Sequence, residues 1–142
     1  MLGRSRSRKL KKLILAAVLL ALYPVTLLGY VWFHCYSVDF GGGKNGQLDA
    51  YRHTLASAVL AYTLSPKAVQ LVTAVMERKG SPADLMDRHN NAIGASIGTQ
   101  ARTFAEIEPT VLAEVKQGTV DATASMQTTW LPRERWRSSF FW

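Results

Sequence analysis

With 142 residues, 17 basic and 10 acidic side chains and a formal net charge of +7, the chain has the charge balance of a polyanion binder. Six of those basic residues fall in positions 1–12, however, and the remainder carries 11 positive against 10 negative charges, a net of +1, which removes the support for nucleic-acid binding. A single cysteine excludes an intramolecular disulfide, so packing alone must hold the fold.

Residues 1–12, "MLGRSRSRKLKK", form a basic tail without an acidic residue. Residues 13–33, "LILAAVLLALYPVTLLGYVWF", run without a charge. At about 1.5 Å per residue they reach across roughly 30 Å, the hydrocarbon thickness of a bilayer. Pro24 is tolerated inside such a span, and Tyr30 and Trp32 lie at its far end, where interfacial aromatics sit. No small-x-small cleavage site follows, and the residues before Cys35 are too bulky for a lipoprotein box. An uncleaved single-pass anchor is therefore expected. Its basic tail stays cytoplasmic and the rest of the chain faces outward.

Residues 34–46 read as a glycine-rich linker, or a loop that passes close to something, because "GGGKNG" is turn-forming throughout. Residues 47–129 read as one all-α domain of four helices. The first opens at "QLDAYRHTLASAVLAYTL", with Leu48, Tyr51, Leu55, Val59 and Tyr62 at helical spacing. The second, "SPKAVQLVTAVMERKG", has Ser65 as cap, Pro66 at its first position, Arg78 and Lys79 in its last turn and Gly80 as terminator. The third, "SPADLMDRHNNAIGASIGTQARTFAEI", is expected to be the longest of the four, with Ser81 capping and Asp84 closing a capping box. A short fourth helix lies around "PTVLAEVKQG", between Pro109 and Gly118. No alternating strand pattern stands out.

Residues 130–142, "WLPRERWRSSFFW", form an aromatic and basic tail. Large aromatics are not left in water, so the tail folds over the helices, meets the membrane surface, or docks on a protein partner through Trp130, Trp136, Phe140, Phe141 and Trp142.

The polar residues fall into two stripes. Asp49 and His53 share a helical face with Ser57, flanked by Arg52; Asp87, Asn91, Gly94 and Gly98 form a second stripe with Asn90 at its edge. The two glycines allow a close helix approach. If the first and third helices pack antiparallel there, Asp49 and His53 face Asp87, Asn90 and Asn91, while His89 projects off the stripe. "DAYRH" followed by "MDRHNNAIG" resembles an uncharacterised bacterial all-helical domain family carrying Asp-Ala-aromatic-Arg-His and Met-Asp-x-x-Asn-Asn-x-x-Gly over about residues 46 to 100. The family's intervening His-Glu pair corresponds here to Met76-Glu77. The resemblance implies a bacterial helical fold and a shared polar site, but no activity; together with the anchor and its basic tail it leads to the expectation of a bacterial inner-membrane protein with an extracytoplasmic domain.

Three uses of the cluster stand side by side. It can be a structural network that fixes helix register. It can be a hydrolytic site with His53 as general base, oriented by Asp49 or Asp87, while Asn90 and Asn91 position substrate or water. The glycine loop ahead of a histidine-bearing helix is similar in layout to secreted phospholipase A2, without that family's adjacent His-Asp pair or disulfides. It can also be a metal site of His53, His89, Asp49 and Asp87, although no compact zinc spacing is present and no cofactor is expected. The sequence alone favours a non-catalytic accessory subunit of an envelope assembly, with a membrane-tethered hydrolase of lipid or cell-envelope substrates as the alternative. A cavity opening onto Asp49, His53 and Asp87 separates the two.

Overall fold

The leucine- and alanine-rich N-terminal run forms one helix, α1 (Leu2–Cys35), with Pro24 inside it. The structure, a computed structural model, describes residues 2–76, 80–123 and 125–138. Glu77, Arg78, Lys79, Phe140, Phe141 and Trp142 lie outside the described residues. By length and composition, Ser7–Cys35 can cross a membrane. One face of its second half is also part of the domain. Val31 is fully buried with Cys35 against Tyr51 and Leu55, and Tyr23 and Leu27 pack on Leu60, Ala61 and Val69. The opposite face, with Val25, Leu28 and Phe33, is exposed.

The helices that follow are α2 (Gln47–Thr63), α3 (Pro66–Met76), α4 (Pro82–Gln100) and α5 (Ile107–Lys116). The architecture is a helical bundle behind an N-terminal apolar helix, as the periodicity predicts. Among the described residues, strand is limited to a two-residue parallel pairing of β1 (Thr119–Val120) with β2 (Thr129–Trp130). The capping box is present: the Ser81 hydroxyl accepts from the Asp84 N–H, and the Asp84 carboxylate accepts from the Ser81 N–H. The helix α4 stops at Gln100, short of the expected extent through Ile107. Ala101 turns extended, and a 3₁₀ turn at Phe104–Glu106 carries the chain into α5. The Phe104 ring there sits 5.2 Å from Tyr30 and 5.9 Å from Tyr62, an aromatic contact joining this turn to α1 and α2. Pro109 falls within the first turn of α5, where its missing N–H leaves no bond unmade.

α2 is the central element, buried from Asp49 to Leu55 and again from Ser57 to Ala61. It runs beside α4 in the same direction: Asp87 lies by His53, Asn91 by Ser57 and Gly98 by Ala58. The antiparallel packing expected from sequence is thus corrected, because α3 provides the return path between them. The glycine stripe works as expected. A Cβ on Gly94 would stand 2.2 Å from the Thr54 carbonyl oxygen, and one on Gly98 would stand 2.0 Å from that of Ala58.

The segment after α5 is tied to α4 by Asn90. Its Nδ2 donates to the Thr129 carbonyl at 2.7 Å, and its Oδ1 accepts from the Thr129 N–H at 2.9 Å. Both groups are buried, and an orphaned buried backbone group costs about 1–3 kcal/mol. Asn90→Ala is expected to lower the melting temperature by roughly 4–8 °C per kcal/mol lost and to speed exchange at the Thr129 amide. An unchanged melting curve and unchanged exchange would contradict this role.

Candidate functional site

The site begins in the glycine loop. Gly42 has φ +80° and Asn45 φ 65°, left-handed conformations suited to glycine and asparagine. The loop folds onto itself so closely that a Cβ on Gly46 would lie 2.6 Å from the Gly42 Cα. This aims the Asn45 N–H at Asp49, whose Oδ2 accepts it at 2.5 Å. The Asp49 Oδ1 accepts from Arg52 Nη2, and both side chains are buried. The Arg52 guanidinium lies 5.5 Å from the ring centre of Trp32, near the end of α1.

One turn on, His53 projects from the same face of α2. Its Nε2 stands 3.5 Å from Asp49 Oδ1 and 3.5 Å from Asp87 Oδ1. These are contacts of a neutral ring more than ion pairs, since burial pushes the His53 pKa down. Asp49 and a hydrogen bond with Asn91 work against that shift, while the positive charges of Arg52 and Lys44 reinforce it. Asn91 is fixed in turn: its Oδ1 accepts from the Ser57 hydroxyl at 2.8 Å, and its Nδ2 donates to the Thr73 hydroxyl at 3.2 Å. Through Asn91, α2, α3 and α4 hold one orientation about the histidine.

Asp49, Arg52, His53 and Asp87 line the floor of a cleft of about 890 Å³. One wall is Met76 with Ser81–Asp84 at the start of α4; the other is Lys44 and Asn45 with Leu131 and residues 134–137 of the tail. The Trp136 indole N–H donates to the Leu131 carbonyl at 2.7 Å, so this tryptophan helps build the wall.

Of the residues singled out in the sequence, Asp49, His53, Asp87 and Asn91 meet in one place. Asn90 does not point there, because Thr129 takes both ends of its amide. His89 is not a member either: its ring Nε2 lies 2.8 Å from the Gln127 carbonyl oxygen, and the residue is half-buried away from the cluster. Asp49, His53 and Asp87 each offer a ligand atom within 4.8 Å of the others and could hold a metal ion, so three of the four expected ligands come together. Trp130 and Trp136, expected to dock on a partner, are half-buried against the domain. Sequence reasoning missed Lys44, Arg135 and Arg137 as cleft residues. The one sequence signal for the arginines is the basic character of the tail.

The comparisons with known proteins add one match. A family model described as a domain of unknown function (DUF6973) matches residues 35–123, and the chain belongs to that family. The matched segment contains Asp49, His53 and Asp87. No curated protein and no solved structure matches the chain.

Proposed function

We propose, for this member of an uncharacterised helical family, a membrane-tethered hydrolase that acts on a lipid or cell-envelope substrate through Asp49, His53 and Asp87. The observation that carries this reading is the cleft. A purely structural network would be filled, as it is around Asn90, whereas the His53 group floors an open space large enough for a small ligand. A neutral imidazole between two carboxylates can take a proton from water, and the carboxylates stabilise the imidazolium that forms. The Ser57 hydroxyl is committed to Asn91, so water is the nucleophile. Its oxygen bonds to the carbonyl carbon or phosphorus of the ester, and the departing alkoxide recovers the proton from His53.

The position of the site supports a substrate at a lipid surface. Arg52, which holds Asp49, rests on Trp32 at the end of the apolar helix. In this reading the basic tail stays in the cytoplasm, which puts the cleft on the outer face of a bacterial inner membrane. A reporter fused after Trp142 should then be active only when exported; activity only in the cytoplasm would overturn that orientation.

Cells expressing the chain should lose one lipid or envelope ester and accumulate its cleaved product by mass spectrometry. Cells expressing Asp87→Asn should not. Indistinguishable profiles would count against catalysis. A second reading, an accessory subunit, draws on the exposed apolar flank of Leu64, Leu71 and Val75, at 60%, 70% and 61% exposure. Recovery of a stable partner in mild detergent, lost on Leu71→Glu, would favour it.

A further inference from the structure

The tail wall of the cleft joins two segments far apart in sequence. The Lys44 N–H donates to the Arg137 carbonyl at 2.9 Å, and the Arg137 N–H donates to the Lys44 carbonyl at 3.1 Å. Next to this bridge, Asn45 Nδ2 donates to the Arg135 carbonyl at 2.9 Å. The backbone therefore fixes Lys44, Arg135 and Arg137 on one side of one cleft.

Other cations nearby are occupied: Arg52 pairs with Asp49, and Arg133 lies over the Trp136 ring at 5.9 Å. Among the described residues, no carboxylate pairs with Lys44, Arg135 or Arg137. The cleft's acids are mostly engaged elsewhere. Asp49 holds Arg52, Asp84 closes the capping box with Ser81, and Asp87 faces His53. Glu134 is the one acid on the tail wall among the described residues. Three like charges held together by main-chain bonds repel one another, and an anion placed among them removes that repulsion. Guanidinium forks match the oxygens of a phosphate group bidentately, and a lysine adds a point charge.

We infer that this wall binds the phosphate of a lipid headgroup and lays the neighbouring ester over His53. This names the substrate class of the site proposed above and rests on that reading. Phosphate is the shared chemistry of a headgroup and of a free phosphate ester; the end of α1 at Trp32, beside Arg52, favours the headgroup.

The test uses the full chain in mild detergent, titrated with dihexanoyl-phosphatidylglycerol, dihexanoylglycerol and inorganic phosphate while tryptophan fluorescence is followed. The phosphatidylglycerol is expected to bind, to weaken with added salt, and to weaken by about tenfold or more in the Arg135→Ala/Arg137→Ala pair and in Lys44→Ala. The lysine-bearing pair, Arg135→Lys/Arg137→Lys, should recover part of the affinity, with melting temperatures matching the parent throughout. Binding of inorganic phosphate as tightly as the lipid supports the phosphate site and overturns the headgroup as its source. Equal binding of dihexanoylglycerol, or affinity unchanged in the alanine variants, overturns the inference. Phosphate-dependent binding without turnover would refute hydrolysis and leave the binding wall standing; turnover with an unchanged KM in the alanine pair would do the reverse.

Discussion

Gly98→Ala is expected to unfold the domain or to lower its melting temperature by well over ten degrees. The new methyl would stand 2.0 Å from the Ala58 carbonyl oxygen, which is backbone and has no rotamer to adopt. Relief requires α2 and α4 to move apart, and overpacking of this kind costs about 1–3 kcal/mol or more even where the neighbours are side chains. At roughly 4–8 °C per kcal/mol, the loss is large for a domain of this size. Gly94→Ala meets the Thr54 carbonyl oxygen at 2.2 Å and should behave similarly. Gly29→Ala is the control. Nothing lies within 4 Å of a Cβ there, and alanine gains up to about 1 kcal/mol in helix propensity, so its melting curve should match or exceed that of the parent. Parent-like melting of Gly98→Ala would show that the helices do not approach as described.

The second large effect concerns His53 and acid. Burial holds its folded pKa below the ordinary value of 6.5, so the unfolded chain binds more protons as pH falls below 6.5. Stability from this residue is complete above that value and is lost as pH falls toward and through the folded pKa. The groups facing it set the size of the loss: Asp49 and Asp87 favour the proton, Arg52 and Lys44 oppose it. Hydrolysis should follow the same sign, full with the neutral ring and falling on the acid side. His53→Asn is expected to cut turnover by about 100- to 10,000-fold, the usual worth of a positioned general base, while flattening the acid limb of the stability curve. An unchanged acid limb in that variant would show that another group titrates.

Much of this arrangement was legible in the chain. The i, i+4 pair Asp49 and His53 and the stripe Asp87, Asn91, Gly94, Gly98 predict the polar contact and the close helix approach, because a helix face is fixed by spacing alone. The capping signals at Ser81 and Asp84 are equally local. Relative helix direction was not legible: facing stripes fit parallel or antiparallel packing equally well, and the return path of α3 decides between them. Asn90 carried no sign that Thr129, 39 residues away, would take its amide. The cleft wall was hidden for the same reason, since Lys44 and Arg137 meet through main-chain bonds that no side-chain pattern encodes. Just past the early end of α4 the Phe104 ring meets Tyr30 and Tyr62, another contact across distant segments.

The most direct test of the hydrolytic reading is heavy-oxygen incorporation. The full chain in lipid nanodiscs is incubated in heavy-oxygen water with phosphatidylglycerol, and the products are weighed by mass spectrometry. The account predicts one solvent oxygen in the cleaved product, formed by the parent and lost in His53→Asn and Asp87→Asn variants that still melt as folded domains. No labelled product from the parent, or equal labelling from the parent and His53→Asn, would contradict it.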